Sequence, residues 1–161
     1  MNEKTAEKVY KRHLKITEMT DAKNETDLVL GKYLYEMKET EEYKVIAGDD
    51  STFTSYLADP EISVSVSKAT RLMRIHIKYI LELEMTYTDL RGIDTYKLQR
   101  IAKEITPENK DEWISRARTL SRSDIARLLE YPDVDPMTCQ HLFKPHKEKC
   151  GKCGEVQGIK K

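Results

Sequence analysis

Two pairs of residues near the C-terminus have the types and spacing of a metal site. Cys139 and His141 form one pair, and Cys150 and Cys153 form the other, in a C-x-H…C-x-x-C arrangement. Thiolate and imidazole ligands in two closely spaced pairs suit tetrahedral zinc. The pattern predicts a small zinc knuckle over residues 137–158, with a structural Zn²⁺ ion as its cofactor.

Other interpretations of these residues stay open at this point. His146 competes with His141 for the fourth ligand position, and His141 is preferred because it mirrors the tight pairing of the cysteines. Three cysteines and no secretion signal disfavour a disulfide, and no strand–helix pattern precedes Cys150 as a redox C-x-x-C would need. A catalytic zinc would need a water and a general base, and none stands out. We therefore expect no enzymatic activity and no catalytic residues.

A second group of residues suits DNA. No acidic residue occurs between Glu61 and Glu82, and at helical spacing the basic residues of this stretch fall in one arc. Arginine and lysine donate to guanine O6 and N7 or neutralise phosphate, and short hydroxyls near the helix start add further donors. Ile75 interrupts the arc, which indicates that part of this face packs against another element. The residues predicted to contact DNA are Ser65, Ser67, Lys68, Thr70, Arg71, Arg74 and Lys78.

Helical periodicity dominates the elements that must position these groups. The opposite face of the basic helix is predicted to be buried through Ala69, Leu72, Met73, His76, Ile80 and Leu83. Capping signals occur at residues 49–51, at Thr106 before Pro107, and at Ser121 with Asp124 three residues later. The first helix carries few apolar residues, which predicts a solvated or partner-dependent helix. The predicted helices cover residues 6–19, 24–47, 52–58, 65–87, 92–105, 107–120 and 121–129.

Composition narrows the class of protein. Hydrophobic residues make up 39% of the 161 residues and charged residues 35%, with mean hydropathy −0.68 and net charge zero. No apolar run could span a membrane and no signal segment opens the chain, so we expect a cytoplasmic protein without membrane contact. We predict an all-α fold: a charged N-terminal helix at 1–23, a helix-turn-helix-containing bundle at 24–131, and the knuckle.

Three segments resemble a known class of protein. They are LGKYLYEMK at residues 30–38, FTSYL at 53–57 and SKATRLMRI at 67–75. Together they resemble helix-turn-helix proteins of phages and mobile elements, over roughly residues 28–130. The resemblance implies double-stranded DNA as the partner. A role as a transcriptional regulator is our interpretation, and a regulator that bound palindromic DNA would need a homodimer.

Two further expectations concern the rest of the chain. Arg116, Arg118, Arg122 and Arg127 are interpreted as bundle surface or as an auxiliary DNA contact, and Trp113 as core. The alternative function is a non-enzymatic protein-interaction module, an inhibitor or adaptor of a host machine. In that alternative the basic helix binds an acidic partner and the zinc knuckle supplies a second protein contact.

Overall fold

The computed structural model of the chain describes residues 3–21, 26–62, 64–131 and 150. The prediction of an all-α fold is confirmed for these residues, which form helices and turns and contain no β-strand. The helices are α1 (Glu3–Asp21), α2 (Thr26–Glu39), α3 (Tyr43–Ala47), α4 (Phe53–Leu57), α5 (Val66–Ile75), the π-helix π1 (His76–Glu82), α6 (Tyr87–Leu90), α7 (Thr95–Ile101), α8 (Lys110–Thr119) and α9 (Arg122–Glu130). None of these helices is long and apolar enough to cross a bilayer.

The chain divides into two compact units, Met1–Thr95 and Tyr96–Lys161. In the first unit α2 packs against α5, and α1 packs against α2 and α3. Gly31 is the point of closest approach of α2 to α5, because a Cβ built there would lie 2.5 Å from the carbonyl oxygen of Leu72. The core of this unit includes Ile16, Leu30, Leu34, Met37, Tyr56, Leu57, Ile62, Ala69 and Leu72.

The helix α1 is more buried than its sequence indicated. Val9, His13 and Ile16 are buried on one side of it. The Arg12 guanidinium pairs with Glu36 of α2, at 3.2 Å from Nε, and also with Glu42. The expectation of a solvated helix is therefore wrong for this side, since two apolar residues, a buried histidine and one paired arginine anchor it. The alternative of a partner-dependent helix stays a prediction.

Two of the predicted helices are broken by local backbone geometry. The helix expected over 24–47 ends at Glu39, where the Thr40 hydroxyl donates to the Glu36 carbonyl and Glu41 adopts a positive φ of 54°. The helix predicted over 65 to about 87 is α5 only as far as Ile75. It continues as π1 from His76 and ends before Glu84, whose φ is 52°. The bond from the Leu83 amide to the Lys78 carbonyl, 3.2 Å, has the five-residue spacing of a π-turn.

The helix starts are set by short polar side chains. Thr52, one residue after the predicted caps, accepts from the Ser55 amide at the start of α4. The predicted capping box of Ser121 and Asp124 is confirmed at α9. The predicted start of α8 is wrong by three residues, because the helix begins at Lys110 and not at Pro107. Just before it, the Asn109 side-chain oxygen accepts from the Thr106 amide at 2.7 Å.

The second unit has its own apolar core. It contains Leu98 and Ile101 of α7, Ile105, then Trp113, Ile114 and Ala117 of α8, and Ile125 and Leu128 of α9. The expectation that Trp113 is a core residue is confirmed. Tyr96 of α7 does not belong to this core, since it is 47% exposed.

Candidate nucleic-acid interface

The α5 helix begins at a side-chain cap. Ser65 has an extended backbone, and its Oγ accepts from the Lys68 amide at 3.2 Å, which satisfies one of the free amides of the first turn. Ser65 and Ser67 are exposed, and Thr70 is half-buried. The hydroxyls of Ser65 and Ser67 are therefore available to a ligand, with the Ser65 oxygen already engaged as an acceptor.

The buried face of α5 agrees with the prediction along the whole helix and at His76, the first residue of π1. Ala69, Leu72, Met73 and His76 are buried, as is Leu83 beyond them. The agreement is lost within π1, where Tyr79 is buried and Ile80 only half-buried. A π-turn holds more residues than an α-turn, so the 100° rotation used to assign faces no longer applies after His76.

Ile75 explains why the basic arc is not continuous. It is buried, as its place inside the arc suggested. At 100° per residue the remaining outward positions, Ser67, Thr70, Arg71 and Arg74, span about 100° of the helix. We call these four residues the α5 strip.

The four predicted cations differ in their surroundings. Lys68 Nζ lies 2.8 Å from Asp27 Oδ1 and ties α5 to α2. Lys78 Nζ lies 3.1 Å from Glu82 Oε2, four residues further on. Arg71 is half-buried, whereas Arg74 is exposed in the last turn of α5. Arg74 is therefore the predicted cation best placed to reach a ligand, while carboxylates partly offset the charges of Lys68 and Lys78.

The connection from α4 to α5 is longer than a helix-turn-helix requires. It comprises residues 58–65, whereas the turn of that motif has about three or four residues. Ile62 and Val64 are buried in the core, and the Asp59 carboxylate accepts from the Glu61 amide at 2.9 Å. The predicted order of short helix, connection and longer helix is present, but the tight turn is not.

A buried aromatic cluster lies at the junction of α5 and π1, and sequence patterns gave no sign of it. His76 Nδ1 and the Tyr87 hydroxyl are hydrogen-bonded at 2.9 Å, with the two rings stacked 6.2 Å apart. Burial lowers the pKa of His76, and burial together with nearby Glu36 raises the pKa of Tyr87 to about 12. The hydrogen bond joins the first residue of π1 to the first residue of α6.

The arginines of the second unit also differ in the side chains that they contact. Arg116 lies over the Trp113 ring at 5.3 Å and pairs with Glu112. Arg127 pairs with Asp124, whose pKa is lowered first of all by its hydrogen bond from Ser121. Arg122 lies over the ring of exposed Tyr96 at 4.7 Å.

The predicted zinc ligands fall almost entirely outside the described residues. Cys139, His141 and Cys153 lie outside them, as does the competing His146. Cys150 is described and is buried. Within the described part of the chain, no group of three or more potential ligands comes together. The zinc knuckle thus stays a prediction from spacing, as does the domain boundary near residues 131–137.

Comparison with known proteins assigns the chain to no family. No protein-family model, curated protein sequence or solved structure matches the chain. Any functional conclusion therefore depends on the residues and contacts described above.

Proposed function

We propose that the chain binds double-stranded DNA through the α5 strip. The observation that carries the proposal is the makeup of this face: hydroxyl and guanidinium groups, exposed at Ser67 and Arg74 and half-buried at Thr70 and Arg71, with no acidic residue from 62 to 81. A helix that presents such donors can hydrogen-bond phosphates and base edges in the major groove.

The surroundings of each cation suggest a division of roles. Arg74, exposed in the last turn, reaches a guanine edge or a phosphate. Ser65 and Ser67, exposed at the helix start, donate to phosphate. Lys68 and Lys78 keep their ion pairs with Asp27 and Glu82, and so contribute less than the sequence suggested.

The biological role proposed for this binding is transcriptional regulation in a phage or mobile element. It is supported by the resemblance of residues 30–38, 53–57 and 67–75 to helix-turn-helix proteins of that setting. A palindromic operator would require a homodimer, since each α5 would contact one half-site.

We also propose that Cys139, His141, Cys150 and Cys153 hold one structural Zn²⁺ ion. The buried thiol of Cys150 fits a thiolate ligand, and two pairs of ligands complete a tetrahedral site. Reduced protein purified without chelator is expected to carry about one zinc per chain. Cys150→Ser should lower that ratio, while a ratio near zero in the unmodified protein would remove the knuckle.

The experiment for DNA binding is a fluorescence-anisotropy titration of the zinc-loaded full chain against random and source-genome duplex fragments. We expect preference among fragments and an affinity that falls steeply with salt, because bound phosphates release counterions. Arg74→Ala should weaken binding about tenfold or more if the side chain contacts a guanine. Arg74→Lys distinguishes the two roles, since lysine keeps a phosphate contact but lacks the bidentate guanidinium.

Lys38→Ala is the matched control for these variants. Lys38 is an exposed cation in the last turn of α2, in the same unit as α5, and its loss changes the net charge as Arg74→Ala does. Equal affinities for the Arg74→Ala and Lys38→Ala proteins would contradict the assignment of the α5 strip.

A second candidate function, a protein-interaction module, is favoured by the outer side of α1. Tyr10 and Leu14, one helical turn apart, are each 56% exposed. Adjacent exposed apolar side chains suit a partner helix or groove. Capture of one partner by the full chain, lost in a Tyr10→Ala/Leu14→Ala protein and insensitive to salt, would favour this function over DNA binding.

A further inference from the structure

Two segments of the second unit are rich in cations and contain no acidic residue. The first runs from 96 to 103 and includes Lys97, Arg100 and Lys103. The second runs from 113 to 123 and includes Arg116, Arg118 and Arg122. Each is unremarkable by itself, since a run of charge is usually only a solvated face.

The fold brings these two segments together. The Arg122 guanidinium lies over the Tyr96 ring at 4.7 Å. Lys97 Nζ donates to the Ala117 carbonyl at 3.0 Å, which fixes α7 against α8. The start of α7 therefore lies beside the end of α8 and the start of α9, although about twenty residues separate these positions along the chain.

The outward side of α7 adds an aromatic ring to this charge. Tyr96, Gln99, Arg100 and Lys103 fall on one arc of the helix and its continuation, and all four are exposed. Leu98 and Ile101 face the core instead. An exposed tyrosine with the Arg122 guanidinium over its ring, and with Arg100 and Lys103 on the same side of α7, combines a π-surface with positive charge.

We propose that this surface, made by Tyr96, Arg100, Lys103 and Arg122, binds single-stranded nucleic acid. Unpaired bases stack on tyrosine rings and on arginine planes, while neighbouring cations follow the phosphate backbone. A duplex offers no base faces to Tyr96, and an acidic protein segment gains little from a stacked ring. The single strand is therefore the partner that uses both features of the surface.

This site belongs to the second unit and the α5 strip to the first, and the proposal does not depend on duplex binding by the α5 strip. Arg74→Ala should leave the affinity for a single strand unchanged. Tyr96→Ala should leave the affinity for duplex DNA unchanged. The two proposals thus fail independently.

The test is an anisotropy titration of the full chain with a labelled oligothymidylate of about 15 nucleotides. We expect Tyr96→Ala to weaken binding at least about fivefold, and Tyr96→Phe, which keeps the ring, to bind within about twofold of the unmodified protein. Tyr10→Ala is the matched control, because Tyr10 is an exposed tyrosine of the first unit, at 56% against 47% for Tyr96. Arg100→Ala should also weaken binding and reduce its dependence on salt.

Several results would overturn the proposal. Absence of oligothymidylate binding at low salt would do so, as would equal affinities for the Tyr96→Ala and Tyr10→Ala proteins. If a duplex of the same length displaces the oligothymidylate equally well, the surface is a general phosphate site. If polyglutamate displaces it equally well, the partner is an acidic protein segment.

Discussion

Replacing Gly31 by alanine tests how closely α2 and α5 are packed. A Cβ at this position would lie 2.5 Å from the carbonyl oxygen of Leu72 and 2.9 Å from its carbonyl carbon. Ordinary contacts of a Cβ begin at 3.4 Å. The nearest atoms belong to the backbone, so no side-chain rotation relieves the contact and the two helices must separate by roughly 1 Å.

The expected magnitude follows from two opposing effects. Alanine is favoured over glycine in a helix by about 1 kcal/mol, so an unconstrained site would gain stability. Forcing a methyl group into a packed interface costs about 1–3 kcal/mol, and sometimes more, because packing around it is lost. A contact with rigid backbone lies at the upper end of that range. We expect a net loss of about 2 kcal/mol in the free energy of unfolding.

Urea unfolding followed by far-ultraviolet circular dichroism measures this loss. With a typical slope of about 2 kcal/mol per molar urea, the midpoint should fall by about 1 M. Lys38→Ala, an alanine at an exposed position of the same helix, should change stability by no more than about 0.5 kcal/mol. A Gly31→Ala protein as stable as the unmodified chain, or more stable, would refute the close approach of α2 to α5.

Two other predictions concern stability. Burial lowers the pKa of His76 below its ordinary 6.5, so the unfolded chain takes up a proton first and the folded state loses stability as the pH falls below about 6.5. This part of the loss should vanish in the His76→Gln protein, which urea midpoints at about pH 7.5 and pH 5 would measure. The same pH dependence in the mutant and the unmodified protein would contradict the prediction. Ser121→Ala should destabilise by about 1 kcal/mol through the loss of the α9 cap, and should raise the pKa of Asp124. Trp113 fluorescence during urea unfolding and carboxyl titration by NMR measure these two effects, and a Ser121→Ala protein with both values unchanged would show that the cap is dispensable.

Local signals predicted part of the fold well. The capping box at Ser121 depends on four consecutive residues, and the buried positions of α5 depend on helical periodicity alone. Both are local properties, so the sequence contains all that is needed to find them. The all-α class follows from the same periodicity repeated along the chain.

Long-range contacts account for what sequence patterns missed. Arg12 of α1 pairs with Glu36 and Glu42, which lie far along the chain. The sequence of α1 alone gives no sign of these partners, so the helix was predicted to be solvated. The π-turn after His76 changes which residues face the core, and no residue pattern marked it. These contacts depend on how the helices pack, and a single sequence contains no direct record of packing.

The sequence predicted the residue types of the candidate site, but not which of its side chains are exposed and which are paired. Lys68 and Arg74 are equivalent in the sequence pattern, but Asp27 pairs with Lys68 from another helix and Arg74 remains exposed. Tyr96 is half exposed beside Arg122, and no residue pattern in the sequence marked this pairing. Side-chain type limits the chemistry, whereas tertiary neighbours decide which groups can perform it.

The most direct test of DNA binding through the α5 strip is the dependence of duplex affinity on salt for three proteins: unmodified, Arg74→Ala and Lys38→Ala. We predict a steep loss of affinity with salt for the unmodified and Lys38→Ala chains. If Arg74 contacts a phosphate, its removal should reduce that slope by about one. Weak, salt-independent binding by the unmodified chain, or an Arg74→Ala protein with the slope and affinity of the Lys38→Ala protein, would contradict the proposed interface.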